Sequence, residues 1–218
     1  MSRSLESING DVAQLVEHLL CKQGVGGSSP LVSTERMAWS AAILIVRVAT
    51  RIVVSPAAYH RRMQVSLRPL VDADLDAIYE QMKDPESVRM AAFTPDDPSD
   101  RQAFLVHRSR VRDDPSVVER VIEADGTIAG TIASFRIDDR TEVTYWIDRA
   151  LWGRGIASAA LQSLLSITTE RPVFARAATD NAASLRVLEK AGFRRIGVDR
   201  GLARGRGEEI EETILRLD

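Results

Sequence analysis

Three features of the chain have the residue types and spacing to do chemistry. Glu142 heads an alternating stretch, Gly153-Arg154-Gly155 follows it, and Asn181 and Ser184 lie three residues apart further on. A carboxylate can take a proton from a nucleophile, and a hydroxyl can give one to a leaving group. Glycines let backbone N–H groups approach an anion with no side chain in the way, and Arg154 adds a fixed positive charge. Each feature also has a plain structural reading. Glu142 fits a solvated strand-end charge, the glycine triplet a tight strand-to-helix turn, and Asn181 and Ser184 the N-cap and N3 positions of a helix. Glu119 and Glu123 are further carboxylates. His18, His60 and His107 have no metal-ligand spacing, and the single Cys21 excludes an intramolecular disulfide or a cysteine metal cluster.

The elements that must position these residues are legible in the periodicity. From Glu142 to Asp148, Val143, Tyr145 and Ile147 point one way and Glu142, Thr144 and Trp146 the other, which predicts a strand. From Ile156 the period becomes helical: Ile156, Ala160 and Leu164 form one stripe, with Ala157, Leu161 and Leu165 beside it. The first amides of a helix lack partners inside it and lie at the positive end of its dipole. Strand, glycine turn and helix together predict an anion site suited to a pyrophosphate.

Other elements flank this unit. Val65 to Arg68 predicts a first strand ended by Pro69. Asp72 is placed to cap a helix carrying Leu75, Ile78, Tyr79 and Met82, which Pro85 helps stop. Met90 to Pro98 predicts a loop, and Ser99 or Asp100 caps a second helix with Phe104, Leu105 and Val111 inward. Val117 to Ala124 and Thr127 to Ile137 predict a hairpin around Asp125-Gly126. Strands at Val173 to Ala178, Phe193 to Val198 and Glu208 to Leu217 complete the order, with a helix from Asn181 to Gly192. Hairpins mixed with strand–helix–strand units imply an α/β mixed sheet with helices on both faces.

Composition narrows the function classes. A net charge of −2 over 218 residues gives no broad electrostatic case for nucleic acid. Arg47 and Arg51 interrupt the apolar run Ala38 to Ser55, so no membrane span is expected. Residues 1–62 do not match the rest in character. Gly10 to Thr34 resembles a translated transfer-RNA gene: Ala13 to His18 can be encoded by a D-arm and Gly27 to Pro30 by a T-loop. Residues 1–62 are therefore expected to be a non-native or disordered extension, with the domain spanning 63–218 and a start at Met63.

Trp152 to Ala157, Trp-Gly-Arg-Gly-Ile-Ala after a Tyr-Trp-Ile strand, resembles the acetyl-CoA loop of the GNAT N-acetyltransferase superfamily, Gln/Arg-x-x-Gly-x-Gly/Ala. Trp152 departs from the Gln/Arg position and fits the branch that resembles ribosomal-protein N-terminal acetyltransferases. Asn181 to Phe193 is similar to a second family motif. The resemblance covers about residues 65 to 217. It implies the GNAT fold and transfer of acetyl from acetyl-CoA, the cosubstrate, to a primary amine of a small molecule or protein N-terminus. It further implies a cytoplasmic monomer or homodimer with no metal, nucleic-acid or membrane partner.

By the same resemblance, Glu142 to Ile147 splays from the strand at Val173, and amides near Trp146 and Ile147 bond the pantetheine. Gly153, Arg154, Gly155, Ile156, Ala157 and Ser158 hold the pyrophosphate, and Asn181 lies near the cofactor. The loop at Met90 to Pro98 covers the acceptor. Many relatives carry a tyrosine acid where this chain has Leu188, so that role passes to Ser184 as proton donor to the thiolate, with Glu142 as a base acting through water. A non-catalytic acyl-CoA-binding module is the alternative.

Overall fold

The computed structural model describes residues 63–218; the expectations for residues 1–62, including the segment resembling a transfer-RNA gene, lie outside them. Strand β1 (Val65–Arg68) leads through a 3-10 turn (Asp72–Asp74) into helix α1 (Leu75–Met82). Asp72 does not cap that helix. Asp74 is the buried residue there: its carboxylate accepts the Val71 N–H at 2.9 Å and the Arg68 guanidinium at 2.7 and 2.8 Å. Asp72 instead pairs with Arg112 on the surface.

A helix absent from the sequence reading follows. Pro85 opens helix α2 (Pro85–Ala91) as well as closing α1, because Asp84 accepts the Ser87 N–H and a proline at the first helical position forfeits no bond. Helix α3 (Arg101–Asp113) is capped by Asp100. Strands β2 (Val118–Ala124) and β3 (Thr127–Ile137) form the expected hairpin, with Asp125 and Gly126 at φ 48° and 80°.

Strand β4 (Arg140–Ile147) starts two residues earlier than the apolar pattern suggests, directly after the Asp138-Asp139 turn. Helix α4 (Ile156–Ile167), strand β5 (Val173–Ala178) and helix α5 (Ala182–Lys190) follow. Strand β6 (Arg194–Ala203) runs five residues past its expected end before a tight turn into β7 (Glu208–Leu217).

The seven strands form one sheet in the order β1-β2-β3-β4-β5-β7-β6, antiparallel except at β4–β5. Both faces of β4 are covered. Val143, Tyr145 and Ile147 join the main core with Ile156, Leu161 and Leu164 of α4 and Leu185 and Leu188 of α5. On the other face Trp146 packs with Val88 and Ala91 of α2 and with Met82. This is the mixed sheet with helices on both faces that the alternation implies.

Candidate active site

β4 and β5 are paired only at Thr141–Val173 and Glu142–Phe174. Beyond those residues the two parallel strands diverge. The edge of β4 from Val143 to Ile147 is thereby left without strand pairing on the β5 side, and a splayed strand edge can receive an extended ligand.

Gly130, which the sequence reading passed over, sets the backbone at the end of that edge. It opposes Ile147 in the β3–β4 register with φ 152°, and a Cβ there would lie 1.9 Å from the Trp146 carbonyl oxygen. No other residue type fits so close a pass. The signal in the sequence was an isolated glycine inside a strand pattern.

After Ile147 the chain makes a tight loop. Asp148 caps a 3-10 turn (Arg149–Leu151), and the Trp152 indole N–H donates to the Ile147 carbonyl at 2.8 Å. Trp152 thus pins the loop to the end of β4. Gly153 and Gly155 have φ 75° and 79°, the left-handed region in which most side chains are strained, and a Cβ on either would meet nothing within 4 Å. Gly155 is the N-cap of α4 and supplies no side-chain cap. Gly153, Arg154 and Gly155 are exposed, Ile156 and Ala157 are buried as the first inward residues of α4, and Ser158 is half-buried. Arg154 donates to the Ala150 carbonyl at 3.2 Å. The result is an open, electropositive helix start suited to an anion.

The structure joins Asn181 and Ser184 to β4. Asn181 caps α5 by accepting the Ser184 N–H at 3.1 Å, and the Ser184 hydroxyl lies 3.0 Å from the Tyr145 hydroxyl. All three residues are buried, Asn181 and Ser184 completely. Ser184 is therefore bound through its hydroxyl to the strand that borders the splay, a contact that capping does not require. Tyr145 had been read only as an inward strand residue.

Glu142 lies on the opposite face, at the closed end of the splay. It is 6% exposed, which overturns its reading as a solvated strand-end charge. Its partner is Arg176 at 3.6 Å, which also holds Glu212 at 3.3 Å and Asp199 at 3.4 Å. Burial works against the Arg176 charge, but Glu142 and then Glu212 outweigh it, and the guanidinium titrates above its ordinary value. The other two carboxylates are engaged as well: Glu119 with Arg108 and Glu123 with Arg68.

Beyond Trp146, on that same face, lies a cavity of about 370 Å³ walled by Met82, the segment after Phe93 and α3 from Ala103 to Arg110. The expected loop divides here. Phe93 packs into a small core with Ala92, Ala178 and Ala203, while Thr94, Pro95, Asp97 and Pro98 line the cavity. The bend is sharp: Ala92 has φ 65° and ψ −58°, and the Phe93 N–H donates to the Ala91 carbonyl at 2.6 Å. The β6–β7 turn clamps it. Gly205 donates to the Ala92 carbonyl at 2.8 Å, and Arg206 binds both the Arg89 carbonyl and the Asp180 carboxylate, each at 2.7 Å. Gly205 must be glycine, since a Cβ would lie 2.7 Å from Thr94 Oγ1 and from the Val88 carbonyl.

Residues 64–194 match the family model described as Acetyltransferase (GNAT) domain, and the chain belongs to that family. A relative called Uncharacterized N-acetyltransferase p20, from Bacillus licheniformis, is 24% identical over 165 residues, covering 71% of this chain and 92% of its own length. Among solved structures, a phosphinothricin acetyltransferase from Sinorhizobium meliloti in complex with AcCoA aligns with a TM-score of 0.60 at 19% identity, over 71% of this chain and 88% of that one. Spermidine N-acetyltransferase from Vibrio cholerae, in complex with CoA and spermine, aligns at 0.59 and 18% identity, over 70% and 95%. At these identities the two structures establish the shared fold.

Proposed function

We propose that this protein transfers the acetyl group of acetyl-CoA to a primary amine of a small molecule or a protein N-terminus. The observation that carries the reading is the splay: β4 and β5 pair only at their first residues, and the diverging β4 runs directly into a glycine-gated helix start with no side-chain cap. The two ends suit the two ends of acetyl-CoA. The edge around Trp146 and Ile147 offers backbone groups to the pantetheine amides and the thioester carbonyl. Gly153, Arg154, Gly155, Ile156, Ala157 and Ser158 offer amides, a dipole and one cation to the pyrophosphate.

In the transfer, the amine nitrogen bonds to the thioester carbon, the C–S bond breaks, the amine loses one proton and the sulfur gains one. Ser184, oriented by Tyr145 and by the Asn181 cap, is the proposed proton source for the thiolate. Glu142 is the proposed acceptor of the amine proton through water, with Arg176 beside it. An aromatic at Trp152 together with Ser184 supports placement near the ribosomal-protein N-terminal branch.

The test is thiol release from acetyl-CoA across a panel of primary amines and short peptides. Turnover with an acetylated product of the expected mass supports the reading. Saturable binding of acetyl-CoA without thiol release from any amine overturns it in favour of an acyl-CoA-binding module.

A further inference from the structure

The acceptor cavity contains a buried cation with unused donors. Arg108 of α3 is 2% exposed and lines the cavity beside Trp146, Met82 and Phe104. A guanidinium has five N–H donors and needs oxygen acceptors for them once it leaves water. Glu119 accepts from Nη1, Nη2 faces the Met82 sulfur at 3.0 Å, and Nε has no acceptor in the protein. A thioether is a weak acceptor, so two of the three nitrogens lack an oxygen partner.

The direction of this unused capacity is defined. Arg108 separates the large cavity from a smaller one of about 190 Å³, and Glu119 lines the smaller one. Met82 lines the large one, so Nη2 points to the side where Trp146 lies. Thr94 also lines the large cavity, and its buried Oγ1, packed against Gly205, lacks a partner. Burying such groups costs free energy unless a ligand completes their bonds.

We infer that the acceptor amine carries a carboxylate or a similar oxyanion, which Arg108 binds while the amine faces Trp146. This rests on the acetyltransferase reading above and narrows its substrate class to small amino acids and their analogues. The apolar wall of Phe104, Ala103 and Val106 suits an apolar side chain on that acceptor. An aliphatic polyamine fits worse, because it brings a second cation towards Arg108, although Asp97 and Asp100 at the exposed rim would tolerate one.

The experiment compares matched acceptors on the wild-type full chain: L-methionine against 3-(methylthio)propylamine, L-phenylalanine against phenethylamine, and spermidine as the polyamine arm. The expected result is a kcat/KM higher for the carboxylate-bearing member of a pair by roughly 10- to 100-fold, the range of a charge-assisted hydrogen bond to a buried site. In the charge-neutral double variant Arg108→Met/Glu119→Gln the ratio should fall towards one. Equal rates within each pair, or faster turnover of the decarboxylated amines or spermidine, overturn this inference and leave the acetyltransferase reading standing. Bound acetyl-CoA with no thiol release from any acceptor overturns both. The wild-type comparison decides the matter even if the double variant does not fold.

Discussion

The two faces of β4 were built by different kinds of information. On one face, Tyr145 meets Ser184, and α4 follows its glycine turn. On the other face, Trp146 borders a cavity made by the end of α1, the strained bend at Ala92 and the first turns of α3. In the proposed function the splayed edge beside the first face presents backbone to the cofactor, and the second face presents side chains to the acceptor. Backbone presentation can serve one constant ligand, whereas side-chain walls can change from protein to protein.

The largest effect should come from placing a charge on the backbone face. Gly155→Asp puts a carboxylate at the head of α4, where nothing in the protein lies within 4 Å of the new Cβ. The left-handed φ of 79° costs about 1 kcal/mol, so the protein stays folded. Calorimetry should show acetyl-CoA binding abolished and circular dichroism an unchanged spectrum. Unaltered affinity would separate the loop from the cofactor.

Gly130→Ala attacks both faces together. The added methyl collides with the Trp146 carbonyl, so β3 and β4 must part at the site of the splay. Destabilisation at or above the upper end of the ~1–3 kcal/mol of an overpacked core is expected in urea titration. A stable variant with normal activity would show that the end of β4 need not be fixed.

Ser184→Ala should lower kcat more than it weakens CoA binding, because a proton donor to the leaving group acts mainly in the transition state. Loss of the Tyr145 partner adds about 1 kcal/mol of instability. A normal kcat with that same loss of stability would leave Ser184 a structural residue.

The smallest effect lies away from both faces. Arg68 holds the Asp74 carboxyl below its ordinary value. Because the folded pKa is the depressed one, this pair contributes fully above the unfolded pKa of roughly 4 and is lost as pH falls through the folded value. Asp74→Asn should cost about 1–2 kcal/mol at neutral pH, flatten the acid limb of the stability curve and leave turnover unchanged.

The same division decides what could be read from the sequence. Val143, Tyr145 and Ile147 alternate because one side of β4 faces the main core, and Asn181 and Gly192 punctuate a helix by local rules, so strand, loop and helix were all visible. Helix α2 was missed because a proline that stops one helix also starts the next, and seven residues carry little periodicity. Arg108 was not singled out, because its partners Glu119 and Met82 come from other elements. The bend at Ala92 is held by Gly205 and Arg206, more than 100 residues away, which no local pattern could announce. The solvated-charge reading of Glu142 failed because its partner Arg176, itself held by Glu212, lies on β5 and meets it only in the folded sheet.

The most direct test of the central claim is a crystal structure of the full chain with acetyl-CoA. The account predicts the pyrophosphate against the amides of residues 153–158, the pantetheine along the β4 edge beyond Glu142, and the thioester beside Trp146 at the mouth of the cavity. A cofactor bound elsewhere, or β4 and β5 paired through Ile147 with the splay closed, would contradict it.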